Sequence, residues 1–275
     1  MAPSALITGG GSGIGAAVAR RLAAAGYGVC VTGRREAPLR ALAQELGGLA
    51  VAADTAEPDA VEAVVAAAVQ RFGRLDALVV AAGTGAGGAV ADQTLERWDR
   101  VLSTNLTGAF LVCRAALPHL AATRGAIVTI GSLAGLRVAP ASAAYCASKA
   151  GLIMLTQSIA LDYGPLGVRA NCLCPGWIRT EMADGAMDAL AQERGSDRES
   201  AYGLAVAKVP ARRVGRAEEV AESVAWLLSP GAGYINGAVI TVDGGAAVVD
   251  AGGLAFADAP PPRAPTEPGD IQGER

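Results

Sequence analysis

Tyr145 and Lys149 stand four residues apart in the run SAAYCASKAGLIML. On a helix that spacing puts both side chains on one face, within reach of the same ligand. Free tyrosine titrates at about 10, too high for efficient proton transfer at neutral pH. A neighbouring ammonium favours the phenolate and moves the group toward the useful range. Such a pair can protonate a carbonyl oxygen as hydride arrives, or take the proton from an alcohol in the reverse direction. Ser132, thirteen positions before Tyr145 in IVTIGSLAG, can hydrogen-bond the same oxygen. Taken singly these are ordinary residues, a helix surface pair and a turn serine. Their chemistry depends on what positions them.

Short β-branched runs at 4–8, 28–32, 49–53, 76–81, 126–131, 168–173 and 238–242 alternate with helical patterns at roughly 13–25, 36–46, 57–71, 94–119, 143–163 and 217–228. Apolar strands alternating with helices predict an α/β fold: a doubly wound, Rossmann-like parallel sheet of about seven strands in a single domain. Ser132 then lies at the carboxyl end of a strand, the edge where such sheets bind ligands. The first strand runs directly into TGGGSGIG, residues 8–15, and a helix. Gly9 allows a sharp turn, Gly13 lets backbone approach a pyrophosphate, and Gly15 permits close helix–strand packing. Ser12 and Ile14 complete the loop, and the helix N-terminus offers free N–H groups to phosphates.

The spacing Gly9-x-x-x-Gly13-x-Gly15 resembles that of the short-chain dehydrogenase/reductase (SDR) family, and the resemblance runs from about residue 4 to 246. Further motifs follow in the family's order: Asn105 in STNLTGAF, Ser132, Tyr145 with Lys149, NCLCPGWIRT at 171–180 and VDGG at 242–245. The resemblance implies a catalytic tetrad of Asn105, Ser132, Tyr145 and Lys149. In it Lys149 also holds the nicotinamide ribose, and Asn105 positions a water linking Lys149 to solvent. It further implies cofactor contacts at Asp54 (adenine), at the backbone of Ala81 and Gly83, and at Pro175, Gly176, Ile178 and Thr180 (nicotinamide and phosphate). The four-residue Tyr–Lys step fits the carbonyl/alcohol branch, since enoyl reductases of the superfamily have a longer gap. The chain departs from the family at Val80 and Ala81, where LVVAAG stands in place of LVNNAG.

The second strand ends at Gly33, where NAD-preferring relatives carry a carboxylate, and Arg34 and Arg35 follow. A guanidinium fork suits a 2′-phosphate, which favours NADP(H). In the alternative, Arg34 stacks on adenine and NAD(H) is accepted as well. Ser12, where many NADP-preferring relatives are basic, weakens the NADP case.

The 275 residues are 52% hydrophobic and 18% charged, enough for a large core, with a net charge of −3. A pI of about 5.3 and no Lys/Arg-rich run exclude nucleic acid and an anionic membrane as main partners. No apolar stretch is expected to reach the ~18 residues of a bilayer span, and no secretory signal opens the chain, which predicts a cytoplasmic protein. Cys30, Cys113, Cys146, Cys172 and Cys174 contain no C-x-x-C pair and are expected to be buried, reduced thiols. With His119 the single histidine, no metal site is expected.

Residues 181–208, carrying Met182, Met187, Leu190 and Arg194, are predicted to form a lid within a 1–250 domain. Trp177 either lines the substrate pocket or packs against that lid. Residues 251–275 form a C-terminal extension, Pro-rich and flexible from about 258. The resemblance implies a homotetramer or homodimer assembled through the long helices at 94–119 and 143–163, whose Ala-rich faces are compatible with close packing. The substrate is a small carbonyl or alcohol, with a 3-oxoacyl-thioester, a sugar and a secondary alcohol all open. The rival from another class is a non-catalytic NAD(P)-binding sensor.

Overall fold

In the computed structural model, which describes residues 2–85, 87–250 and 252, β1 (Ser4–Thr8) lies parallel between β2 (Gly28–Gly33) and β4 (Ala77–Val80). The sheet is completed by β3 (Leu49–Ala52) outside β2, and by β5 (Ala126–Ile130), β6 (Arg169–Pro175) and β7 (Val239–Val242) beyond β4. The strand order is β3-β2-β1-β4-β5-β6-β7, all parallel. The chain therefore reverses direction across the sheet between β1 and β4, where open sheets of this kind bind their ligands.

The helices are α1 (Gly13–Ala24), α2 (Glu36–Leu46), α3 (Pro58–Phe72), α4 (Leu95–Leu102), α5 (Gly108–Thr123), α6 (Ala143–Tyr163), α7 (Glu181–Arg194), α8 (Arg198–Val206) and α9 (Ala217–Leu228). Adjacent strand residues point to opposite faces, so Leu6 and Ile7, both fully buried, enter different cores. Ile7, Val31 and Val79 pack under α1, α2 and α9 through Val18, Leu39, Val220 and Val224. Leu6, Leu78 and Ile127 pack under α3, α5 and α6 through Val64, Val112, Leu120 and Leu152. Each such fully buried aliphatic side chain contributes on the order of 1.5–3 kcal/mol. Burial on both faces explains why the strands read as unbroken apolar runs.

Three expectations change. The helix expected over 94–119 is interrupted by a π-helical turn at Ser103–Thr107, which separates α4 from α5. Taken together, Leu95–Thr123 is long and apolar enough to cross a bilayer by length and composition, contrary to the sequence reading. In this fold its apolar residues Leu111, Val112, Ala116 and Leu120 are covered by the sheet and by α3 and α6. Finally, Cys146 is only half-buried, while Cys30, Cys113, Cys172 and Cys174 are buried and all five are unpaired. The expected C-terminal extension lies, except for Gly252, outside the described residues.

The region 181–208 folds as two helices with a small core of their own. Thr180 Oγ1 accepts from Ala183 N to start α7, Gly195 ends it with φ +63°, and Asp197 Oδ1 accepts from Ser200 N to start α8. Met187 is buried among Ala183, Ala191, Ala201 and Tyr202, with Leu190 packed on them. Of the lid's apolar residues named from the sequence, Met182 alone is largely exposed.

Candidate active site

Gly9 (φ +64°) turns the chain at the end of β1, and a Cβ there would come 2.8 Å from Ala81 O and Ala82 N. The loop thus closes on the end of β4. Thr8 Oγ1 fixes that junction by accepting from both Ala81 N and Ala82 N at 3.1 Å. A Cβ on Gly15 would lie 2.2 Å from the Gly9 carbonyl oxygen. Gly15 is therefore required for closure of the loop on itself rather than for helix–strand packing. α1 then begins with Ser12 extended, no side-chain cap and no acidic residue in its first turn. Its leading N–H groups are left for an anion. Gly13 (φ +52°) faces Thr180, whose Cγ2 would be 3.1 Å from an added Cβ. The loop and the start of the lid thus frame a gap that only a glycine keeps open, and these features fit a dinucleotide pyrophosphate.

Beyond the loop, Arg34 is exposed and makes no ion pair or hydrogen bond among the described residues. Arg35 Nη2 donates to Ser12 Oγ at 2.9 Å and to Glu181 Oε2 at 2.7 Å. A Cβ on Gly33 would touch only Gly9 Cα, at 4.0 Å, so the end of β2 is open. Asp54 Oδ1 accepts from Ala56 N and shapes the turn into α3. Val80, which stands where an asparagine was expected, is buried in the core with Leu6 and Cys30. Apolar packing and Thr8 do the joining at this point.

The tetrad candidates come from three places: the π turn, the turn after β5, and α6. Asn105, in the π turn, is buried with every polar side-chain atom engaged: Oδ1 accepts from Thr84 N at 2.8 Å, and Nδ2 donates to Thr84 O at 2.9 Å and Ser148 Oγ at 3.0 Å. Ser148 Oγ donates onward to the Tyr145 carbonyl at 2.8 Å. Lys149 is 4% exposed; its Nζ donates to Ile130 O at 2.7 Å and stands 5.8 Å from the Tyr145 ring centroid. An added Cβ at Gly83 would lie 3.5 Å from Asn105 Oδ1 and 3.6 Å from Lys149 Nζ, so Gly83 borders both groups. Ser132 lies two residues beyond β5, and its Oγ accepts from Ala134 N at 3.1 Å. The turn it opens presses Gly135 on the Lys149 backbone, where a Cβ would come within 2.8 Å.

On the far side, Gly176 N donates to Val242 O, and Ile178, 6% exposed, is bridged to Gly215. Pro175 is the last residue of β6. Trp177 lines a cavity of about 90 Å³ with Val206, Val209 and Gly244. That cavity is lined by neither Ser132 nor Tyr145, which favours lid packing for Trp177. Cys172 and Cys174 point to one face, as their alternation predicts, with Sγ atoms 4.0 Å apart. The hydrogen bond between them draws the Cys172 thiol down, helped by Lys149, and together with burial it pushes the Cys174 thiol up.

The sequence reading missed Thr8, Thr84 and Ser148 as positioning residues. A faint signal existed for Ser148, which sits three residues after Tyr145 on the same helix face. For Thr84, which acts through its backbone, there was none.

Residues 9–247 match a family model described as enoyl-(acyl carrier protein) reductase. Protein MoaE of Klebsiella aerogenes is 42% identical over 259 residues, covering 94% of this chain and all of that protein. A 2-(R)-hydroxypropyl-CoM dehydrogenase of Xanthobacter autotrophicus is 37% identical, covering 89% of this chain and 98% of the relative. Among solved structures, a variant actinorhodin polyketide ketoreductase with NADPH superposes with a TM-score of 0.85 at 36% identity, covering 89% of this chain and 97% of the other.

Proposed function

Because the chain belongs to the short-chain dehydrogenase/reductase family and is an NAD(P)-dependent oxidoreductase of the CH–OH/C=O pair, we propose that it prefers NADP(H) and uses Tyr145 as general acid/base on a small carbonyl or secondary-alcohol substrate. The observation that carries this reading is the setting of Lys149: buried, anchored on Ile130 O, and held beside the Tyr145 ring and next to Gly83.

A bound nicotinamide supplies or accepts the hydride. In the reductive direction Tyr145 gives its phenolic proton to the substrate oxygen, and the Lys149 ammonium offsets the negative charge left on the ring oxygen. Ser132 Oγ accepts from Ala134 N and so keeps its own O–H for the same substrate oxygen. Lys149 has two further N–H bonds to offer the nicotinamide ribose. Asn105 spends its side chain on Thr84 and Ser148, so a water beside it would bond its backbone, and its side chain acts by fixing α6 at Tyr145. The uncapped first turn of α1, with Gly9, Ser12, Gly13, Ile14 and Gly15, takes the pyrophosphate. Arg34 and Arg35 face the 2′-phosphate, and Asp54, Ala81 and Gly83 flank the adenosine. Pro175, Gly176, Ile178 and Thr180 close on the nicotinamide side.

Tyr145→Phe tests the core of this reading. On a panel of ketones, acyl-thioesters and secondary alcohols followed by nicotinamide absorbance, the variant loses turnover on every substrate the parent accepts. Unchanged turnover would refute the role of Tyr145. For the cofactor, kcat/KM with NADPH exceeds that with NADH, and Arg34→Ala narrows the ratio. A second reading, an NAD(H)-linked alcohol dehydrogenase, is favoured by the uncharged Ser12, and a ratio below one would establish it.

The catalytic unit is residues 1–250 with the 181–208 lid. Exposed Phe110 on α5 and Met154 and Leu161 on α6 support assembly into a homotetramer or homodimer through these helices. The five unpaired thiols are consistent with a cytoplasmic protein.

A further inference from the structure

Arg35 is gripped from two sides. Its Nη2 reaches Ser12 Oγ in the glycine loop and Glu181 Oε2 in the first turn of α7, so one guanidinium ties β2, the loop and the lid together. Ser12 has no charge of its own, and Arg35 sets a cation against its hydroxyl. Ser12, Gly13, Thr180 and Glu181 border one cavity of about 530 Å³. Both partners of the ion pair are more than half exposed, at 59% and 67%, so exchange of one anion for another costs little.

We infer that Glu181 sets cofactor selection by competing with the cofactor's 2′-phosphate for Arg35. The inference rests on the proposed seat of the adenosine ribose at Gly33–Arg35. A phosphate carries more negative charge than a carboxylate and offers more acceptor oxygens to the guanidinium, so it displaces Glu181; a 2′-hydroxyl does not. Glu181 therefore lowers affinity for the phosphorylated cofactor and leaves the unphosphorylated one nearly untouched. Arg34, unpartnered among the described residues, supplies the uncontested part of the recognition.

The test is calorimetric binding of 2′,5′-ADP and 5′-ADP to the full chain, in the parent, Glu181→Gln, Arg35→Ala and the double variant. Glu181→Gln tightens 2′,5′-ADP about three- to tenfold and shifts 5′-ADP by less than about twofold. In the Arg35→Ala background the same substitution has no effect on 2′,5′-ADP. Equal changes for both nucleotides, no change for either, or a gain that survives without Arg35 would each overturn the competition. A parent that fails to distinguish the two nucleotides sinks the NADP preference, yet a selective gain in Glu181→Gln would still uphold Glu181 as the competitor.

Discussion

Ser148→Ala isolates the hydrogen-bonded chain beneath the Tyr–Lys pair. Ser148 is fully buried, and its hydroxyl accepts from Asn105 Nδ2 at 3.0 Å while donating to the Tyr145 carbonyl at 2.8 Å. Removing it leaves one buried Asn105 N–H without a partner, because Nδ2 keeps only its bond to Thr84 O. An orphaned buried donor costs about 1–3 kcal/mol. The Tyr145 carbonyl loses little, since it is also part of the helical ladder. For a domain of this size that loss lowers Tm by about 2–4 °C per kcal/mol. The activity effect has a different signature: Asn105 is freed to shift in the π turn, so kcat falls while the binding of 5′-ADP, seated at the distant glycine loop, stays unchanged. Thermal unfolding, steady-state kinetics and nucleotide calorimetry on one preparation separate these terms. Parent-like stability together with parent-like kcat would refute the view that this chain positions Tyr145. A drop in Tm with kcat intact would reduce Ser148 to a packing residue.

Thr8→Val keeps the side-chain volume but removes the acceptor for Ala81 N and Ala82 N; unfolding in urea should show a loss of about 1–3 kcal/mol for each N–H left dry. Gly15→Ala drives a Cβ to 2.2 Å from the Gly9 oxygen, so the loop opens and nucleotide binding by calorimetry is lost even where the variant folds. Glu219 is held down to about 2 by its hydrogen bond with Arg213, aided by the Arg216 N–H at the start of α9. A depressed carboxylate stabilises fully above its unfolded value and ceases to as pH falls through the folded one. The urea midpoint of Glu219→Gln should therefore sit below the parent's at pH 7, with the gap shrinking below about pH 4.5; a gap independent of pH would contradict the assignment.

What the sequence made legible was whatever repeats a periodic pattern or forces a special backbone. All seven strands and the helix boundaries at Gly13, Glu36, Ala143 and Ala217 follow from apolar runs and glycine punctuation. The π turn at Ser103–Thr107 did not show, because one inserted residue leaves the apolar pattern on either side intact. Met187 was read only as part of a lid, because nothing local reveals that α7 and α8 bury a core against each other. Val80 and Ala81 stood out as a departure from the family's pattern, and the acceptor that fixes this junction, Thr8, is seventy-three residues from Ala81 in the chain.

The same distance in sequence explains why the tetrad candidates were easier to read than the residues that support them. Tyr145 and Lys149 lie one helical turn apart, so their relation survives in a linear reading. Asn105, Thr84 and Ser148 meet only because the π turn rotates Asn105 inward, between the segment after β4 and the face of α6. With both amide groups saturated there, Asn105 cannot turn to any ligand without breaking a buried hydrogen bond, at a cost of about 1–3 kcal/mol. Lys149 has the opposite character: one N–H is fixed on Ile130 O, and two remain for the cleft. Asn105 thus ties the segment after β4 to α6, and Lys149 keeps two N–H donors beyond its bond to Ile130 O.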